Sequence, residues 1–303
     1  MLHAAAPRQP DPFRTGFTDA HTGRCMTGES LERADGFGRV VFSGAENGTR
    51  VVDLFQRAPS RVLFPRIGGH RSVSEAVLVN TAGGIAGGDR LVSEITALDG
   101  ASVAMTSQAA EKVYRALDEP ARIVTRLTVH RDARLAWLPH ETILFDRARL
   151  VRQTEIELAS GSELLALEWL VFGRAAHGEQ MQSGFVSDGW RVRRDGRLIW
   201  ADAFRAGDAT LSELHKNALL AGCRAIATLI YSGPHLQSCL GILRAAAASM
   251  SCLCAATAIR DIIVLRVAAR LAFDLNDAVR NLLQHMGIAT GPGPFQVPRM
   301  WSC

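Results

Sequence analysis

The sequence predicts a mainly β protein with two α-helices in its C-terminal quarter, and three observations support this fold class. Apolar and polar residues alternate with a period of two over most of residues 36–233, which is typical of half-buried strands. The period changes to that of a helix near 235–250, and an amphipathic helical pattern follows near 268–286. The chain has 303 residues, 48% of them hydrophobic, which is ample for a hydrophobic core.

The alternation is clearest over residues 121–130, where Ile123 and Leu127 lie on one face and Arg126 on the other. Asp195-Gly196 separates two strand-like runs and predicts a two-residue hairpin turn. Runs with similar alternation predict further strands at 39–43, 50–56, 75–80, 91–97, 102–107, 135–138, 150–158, 163–171 and 223–231.

The ends of the chain differ from this β-rich body. Residues 1–35 are rich in Pro, Gly, Thr and charge, so we expect a tail that is partly disordered. Residues 36–303 are expected to form a single domain with its helices near 235–250 and 268–286. Gly287 is the predicted end of the second helix.

The composition argues against a nucleic-acid-binding, secreted or membrane-spanning protein. The net charge is only +4, and the basic residues are spread along strands rather than clustered with aromatic residues, which argues against nucleic-acid binding. The first dozen residues lack the apolar segment of a signal peptide, and no apolar run is long enough to span a membrane. Six scattered cysteines without a C-x-x-C pair are typical of a reducing compartment, so we expect a cytoplasmic protein.

The glycine-rich stretch Thr81–Asp89 (TAGGIAGGD) lies between two predicted strands. It lacks the Gly-Lys-Ser/Thr of a phosphate loop and the spacing of a dinucleotide loop, and no helix follows it. A wide turn that needs positive φ or a close backbone approach explains the glycines. That interpretation leaves Asp89 unexplained.

Two other carboxylates stand in unusual surroundings. Glu168 lies inside an apolar strand and faces the same way as Leu164 and Phe172, so it should be buried or line a cavity. Because a buried carboxylate is costly, it must meet an arginine, stay protonated or face internal water. Asp202, after an apolar run, has a similar setting. Carboxylate oxygens hold divalent cations transiently, whereas stable transition-metal sites usually include His or Cys.

No local catalytic signature or spaced set of histidine ligands is present in the sequence, and Cys252-x-Cys254 is only a weak candidate for a soft metal. Five stretches in this order nevertheless resemble the UreD (UreH) family of urease accessory proteins, as does the ending Pro298-Arg299-Met300-Trp301. The five stretches are FPR (64–66), NTAGGIAGGDRL (80–91), TSQAAEKVYRA (106–116), LAWLPHETILFD (135–146) and EWLVFGRAAHGE (168–179).

The resemblance implies a fold of stacked, β-helix-like layers of strands with two helices. It implies a non-enzymatic nickel-insertion chaperone that joins UreF, and through UreF the GTPase UreG, on the urease structural subunits. Nickel in transit would pass through an internal tunnel near Asp89, Glu168 and Asp202, with no tightly bound cofactor. Further residues expected to shape loops or contact partners are Gly83, Gly84, Gly87, Gly88, Lys112, Tyr114, Arg115, Glu141, Arg174, Glu179, Arg299 and Trp301.

The chain departs from the family pattern in the alanine- and cysteine-rich segment 235–260 and at His140, where glutamine is common. Two alternative functions stay open at this point. One is a scaffold that bridges UreF to urease without carrying metal. The other is a glycosidase-like enzyme that uses Glu168 with Glu179 or Asp202 as a carboxylate pair, which would have to lie within about 10 Å across a cleft.

Overall fold

The computed structural model describes residues 32–65 and 73–302, and Arg33–Cys303 form one compact unit. Most of the predicted tail (residues 1–31), together with Arg66 of the first matching stretch, lies outside the described residues. The strands are β1 Asp35–Ala45, β2 Gly48–Arg57, β3 Ser60–Leu63, β4 Ser74–Asn80, β5 Arg90–Ala97, β6 Ser102–Ser107, β7 Glu111–Val113, β8 Ala121–Val129, β9 Arg134–Leu138, β10 Thr142–Leu144, β11 Arg149–Leu158, β12 Glu163–Phe172, β13 Phe185–Arg194, β14 Arg197–Gly207, β15 Ala225–Ser232, β16 Leu253–Ile259 and β17 Ile262–Ala269.

These strands form two sheets, which we call sheet A and sheet B. Sheet A has the order β14-β13-β11-β8-β5-β1-β2, and sheet B has β16-β17-β15-β12-β9-β6-β4-β3 with β7 and β10 attached beside β12. From β4 to β13 the long strands alternate between the sheets, and neighbours within each sheet run parallel. Each circuit of the chain therefore adds one strand to each sheet. The expected stack of β-helix-like layers is confirmed.

Tight turns at one end of the stack make these circuits possible. Gly100, Asp132 and Gly161 each adopt positive φ in the turns that carry the chain from sheet A to sheet B. Successive turns are hydrogen-bonded, with Gly100 N–H donating to the Arg131 carbonyl. Gly44 has no room for a side chain, because a Cβ there would lie 2.7 Å from the backbone of Gly100.

Two hydrophobic clusters lie between the sheets, and a third lies on the outer face of sheet B. Strand β12 is buried on both faces, which explains its nearly continuous apolar sequence. Its odd-numbered residues, such as Trp169, pack with the helices, while Leu164 and Ala166 pack toward sheet A. Glu168 shares the second face and therefore points between the sheets.

Three α-helices are present in the described part of the chain: α1 Asp208–Leu211, α2 Leu236–Ala248 and α3 Ala272–Thr290. The two long ones pack on the outer face of sheet B, where Leu243 of α2 and Leu282 of α3 are fully buried. The predicted helix at 268–286 begins later than expected because β17 extends through Ala269, and it also ends later, at Thr290. Gly287 lies inside α3, and Gly291, at φ 71°, follows its end.

The predicted hairpin at Asp195-Gly196 is confirmed. Arg194 of β13 pairs with Arg197 of β14, and both turn residues adopt positive φ, at 49° and 75°. Among the described residues, none of the helices combines the length and apolar character needed to cross a membrane.

Candidate functional site

A cavity of about 280 Å³ lies between the sheets, beside the glycine-rich loop. Its wall combines apolar side chains with hydroxyls, among them Ser93, Thr125 and Thr142. Apart from His140, the ionisable side chains on its wall are two acids and two bases: Glu111, Glu168, Lys112 and Arg152. The cavity is therefore mixed in charge rather than uniformly acidic.

A buried network of charges forms part of this wall. Arg152 Nη1 lies 2.7 Å from Glu168 Oε2, and its Nε and Nη2 donate to the two oxygens of Asp188 at 2.8 and 2.7 Å. Trp137 Nε1 donates to Glu168 Oε1 at 2.9 Å, and Thr142 Oγ1 accepts from Arg152 at 3.1 Å. Of the three alternatives for Glu168, the structure shows the arginine partner.

The protonation of this network is set by burial and by mutual attraction. Burial raises the pKa of Glu168 above its ordinary value, against the opposing pull of Arg152. Burial by itself would lower the pKa of Arg152, but the attraction of Asp188 and Glu168 more than reverses this, so the pKa is raised. Arg152 is therefore a fixed positive charge at the cavity wall.

Sequence reasoning missed Arg152 and Asp188, although a signal for both was present. The buried positions of β11 alternate, which places Arg152 and Thr154 on the same face as Leu150 and Ile156. Asp188 likewise lies on the buried face of β13, directly beside Arg152 in the parallel register. A charged residue on the apolar face of an alternating strand predicts a buried partner of opposite charge.

Glu111 and Lys112, on the short strand β7, also line the cavity. Burial raises the pKa of Glu111 to about 7, although the hydrogen bond from Asn80 Nδ2 to its Oε1 acts in the opposite direction. Nearby, burial lowers the pKa of His140, and burial raises the pKa of Glu141. With a pKa of about 7, Glu111 therefore changes charge near neutral pH.

Asp89, unlike Glu168, does not line the cavity. It is buried at the end of the glycine-rich loop, where Oδ1 accepts the Ala34 N–H at 2.9 Å and Oδ2 accepts the Ala86 N–H at 2.7 Å. The carboxylate thereby closes the loop onto the start of β1. Backbone hydrogen bonding accounts for the aspartate that the glycine pattern left unexplained.

The glycine-rich loop is the expected wide turn. Its glycines are required by positive φ angles or by close contacts that leave no room for a Cβ. Gly83, Gly84 and Gly88 adopt positive φ. A Cβ on Gly84 would lie 2.4 Å from the Tyr114 ring, and one on Gly87 would lie 2.6 Å from Ala116. Gly83 itself lines the cavity, and its carbonyl accepts a hydrogen bond from the Tyr114 hydroxyl at 3.1 Å.

Asp202 belongs neither to the cavity wall nor to the glycine-rich loop. It lies on the edge strand β14, half-buried, and its Oδ2 is 2.6 Å from Arg266 Nη2 on β17. The structure thus places Asp89 in a loop, Glu168 in the cavity wall and Asp202 beside Arg266, and only Glu168 of the three lines the cavity. Glu179 is also absent from that wall and pairs with Arg174, so neither proposed glycosidase partner of Glu168 shares its cavity.

The matching stretches meet at the end of the stack that carries the glycine-rich loop. Tyr114 packs edge-on against Phe145 at 5.1 Å, and the Arg174 guanidinium lies 4.1 Å from the centre of the Phe145 ring. Arg174 in turn pairs with Glu179 at 2.6 Å. Arg115 forms an isolated antiparallel β-bridge with Ala148. Four of the five stretches are joined by these contacts together with the backbone pairing of Ile85 with Val113.

The C-terminal segment lies on the other side of the cavity wall. Trp301, in a short 3-10 helix with Arg299, is buried and stacks on Trp169 at 5.4 Å. Its indole Nε1 donates to Thr106 Oγ1 at 2.9 Å, and the His140 ring lies 5.3 Å away. Trp301 is therefore in contact with a residue of the cavity wall rather than with solvent.

Within residues 32–65 and 73–302, no group of three or more His, Cys, Asp or Glu side chains is arranged to hold a metal ion. Cys252 and Cys254 pack against the core beneath the helices. Burial raises the pKa of both thiols, that of Cys254 to about 11. Because metals bind the thiolate, this environment is unfavourable for the soft-metal site considered from the sequence.

Fold and site together define a two-sheet β-solenoid with a charged cavity between its sheets and a structured loop cluster at one end. The family model described as "UreD urease accessory protein" matches residues 34–302. Urease accessory protein UreD 1 of Methylobacterium radiotolerans is 37% identical over 305 residues, which cover 99% of each chain. Urease accessory protein UreD of Rhizobium etli is 36% identical and covers 89% of this chain and 96% of its own length. The chain belongs to the UreD family of urease accessory proteins.

Proposed function

We propose that this chain is a non-enzymatic, cytoplasmic nickel-insertion chaperone of urease. In this proposal it joins UreF, and through UreF the GTPase UreG, on apo-urease. Nickel then moves through the internal cavity toward the urease active site. Membership of the UreD family supports the role in urease maturation. The observation that carries the conduction step is the cavity itself, with Glu168 in its wall.

The chemistry of the wall is compatible with a moving divalent cation. Carboxylate and hydroxyl oxygens from Glu168, Thr125, Thr142 and Ser93 offer weak, hard ligands. An imidazole or thiolate cage would bind nickel more strongly and slow its release. Nickel is the cargo in this proposal, and no tightly bound cofactor is assigned.

A scaffold that bridges UreF to urease without carrying nickel is the second candidate function. The charges of the cavity wall favour it, because Arg152 and Lys112 offset Glu168 and Glu111. Both oxygens of Glu168 are also engaged by protein donors. The two candidates differ in what happens to nickel when the cavity is altered but the complex still assembles.

Glu168→Gln tests the two candidates directly. It preserves shape and removes the one negative charge that both lines the cavity and faces Arg152. Conduction predicts less nickel per urease active site after activation, while a pull-down still recovers UreF, UreG and urease with the variant. Full nickel loading with an intact complex would support the scaffold. Glu155→Gln, on the outer face of sheet A, is the matched control and should load urease normally.

A further inference from the structure

Arg152 lies at the cavity wall between two carboxylates and uses all three guanidinium nitrogens to hold them. Its Nε and Nη2 bind Asp188, and its Nη1 binds Glu168 and the Thr142 hydroxyl. The Thr154 hydroxyl is 3.5 Å from Glu168 Oε1. The side chains of Arg152, Glu168 and Asp188 are each at least nine-tenths buried.

Without the guanidinium, the oxygen atoms that it binds, from Asp188, Glu168 and Thr142, would face one another with no cation between them. Two carboxylates and a threonine hydroxyl are oxygen donors of the kind that hard divalent cations prefer. Their attraction for a cation would be strong, because the surroundings are buried and poorly screened. The protein therefore supplies its own cation where a divalent ion would otherwise be held.

We propose that Arg152 is the resident counter-cation of Glu168 and Asp188, and that it prevents this pair from trapping a divalent metal ion. Glu168 then remains a weak contact for a passing ion, and Asp188 makes none. Arg152 acts through the two carboxylates and is a positioning residue. The inference rests on the proposed passage of nickel for its biological purpose, but its metal-binding consequence can be tested without urease.

Stabilisation of the fold does not by itself account for this arrangement. A buried ion pair often contributes no more stability than apolar residues of similar volume, because desolvation offsets the attraction. An arginine that only joined the two sheets would not need to lie at the wall of a cavity. An arginine that shields carboxylates from a cation in that cavity must lie at its wall, as Arg152 does.

The test is nickel binding by the untagged full-length chain, measured by equilibrium dialysis against NiCl₂. Arg152→Met should bind one more Ni²⁺ per chain than the unmodified protein, with a Kd at least tenfold lower than that of any site in the parent. Arg152→Lys keeps a cation in place and should gain no site. Arg152→Met combined with Asp188→Asn should lose the gained site. Arg126→Met removes an arginine from between two surface carboxylates and should not gain a site of that affinity.

Nickel should also restore the folding that Arg152→Met weakens. The Tm of this variant should rise with added NiCl₂ far more than the Tm of the parent, because the ion replaces the lost charge. If the variant is insoluble when prepared without metal, soluble and folded protein should be recovered when NiCl₂ is present throughout. A variant that gains no nickel site, or that stays insoluble with and without nickel, overturns the proposal and leaves Arg152 a structural residue.

Failure of this inference can be told apart from failure of the proposed function. A nickel site gained by Arg152→Met with normal nickel loading of urease supports the role of Arg152 at the carboxylates and counts against conduction through this cavity. Reduced loading by Glu168→Gln with no site gained by Arg152→Met leaves conduction in place and overturns the role of Arg152.

Discussion

Two arginines of sheet A, one at the surface and one in the interior, each lie between two carboxylates. On its outer face Arg126 bridges Glu94 and Glu155, each at 3.0 Å, across three neighbouring parallel strands. On its inner face Arg152 bridges Asp188, on the neighbouring strand, and Glu168 of sheet B, each at 2.7 Å. The Arg126 side chain is 37% exposed and that of Arg152 only 2%.

The comparison shows how solvent exposure changes the stability that an arginine between two carboxylates contributes. At the surface, water screens each charge, and the ladder of three residues contributes little beyond cross-strand pairing. In the interior, each charge depends on the others, because the loss of one leaves a partner without compensation. Removal of one member is therefore expected to cost little stability in the surface set and much more in the interior set.

The largest expected effect comes from breaking the interior set. Asp188→Ala removes two hydrogen bonds from a buried guanidinium and should lower the free energy of unfolding by about 3–5 kcal/mol. Glu155→Ala makes the equivalent change at the surface and should cost less than about 1 kcal/mol. Urea unfolding of both variants measures the difference. Equal losses would show that burial does not separate the two sets.

A smaller loss is expected from a buried carboxylate whose partners are backbone groups. Asp89→Ala leaves the Ala34 and Ala86 N–H groups without their acceptor, so we expect a loss of about 2 kcal/mol. Asp89→Asn keeps an oxygen acceptor for one of them and should cost less. The same unfolding experiment measures both. No change in stability for Asp89→Ala would contradict the role of Asp89 in closing the loop.

Glu111 adds a pH dependence to the cavity wall. Its pKa of about 7 lies above the ordinary value of 4.5, so the folded protein keeps a proton that the unfolded chain releases between these values. Stability from this group is therefore present below pH 4.5 and is lost as the pH rises through 7, by at most about 3 kcal/mol. Glu111→Gln should be more stable than the parent at pH 8, with the gain disappearing near pH 4.5. Parallel stability curves across this range would contradict the raised pKa.

The smallest effect is expected at Asp202. Its partner Arg266 is more than half exposed, so Asp202→Ala should change the free energy of unfolding by less than about 1 kcal/mol. Thermal unfolding checks this. If the variant is as stable as expected, any loss of nickel loading would report on the passage and not on folding. A loss of several kcal/mol would show that Asp202 belongs with the interior set.

The sequence predicted the β-rich body and the position of Glu168 because both follow from period-two alternation. The face of β12 that holds Glu168 could be assigned from Leu164 and Phe172 alone. Alternation also indicates that Arg152 and Asp188 are buried charges, but it could not assign Arg152 as the partner of Glu168, since the two come from different sheets and pairing between sheets leaves no local pattern. The same limit applies to Asp202, whose partner Arg266 lies 64 residues further along the chain.

The ends of the second long helix were predicted less well than its existence. Leu271 fits the apolar periodicity of the helix, but it is exposed and precedes the first helical residue. The sheet extends through Ala269 because β17 pairs with β15 from Ile263 to Ala269. Long-range strand pairing therefore determines where α3 begins, and a helical period read along the sequence does not contain that information.

Nickel loading of urease by a protein with an obstructed cavity tests the central claim most directly. Thr125, on β8, is buried and lines the cavity, while Thr128 on the same strand faces outward. Thr125→Phe should lower the nickel per urease active site even though every carboxylate remains, and Thr128→Phe should not. A pull-down with UreF, UreG and urease confirms that each complex forms. Full nickel loading by an assembled Thr125→Phe complex would contradict conduction through this cavity.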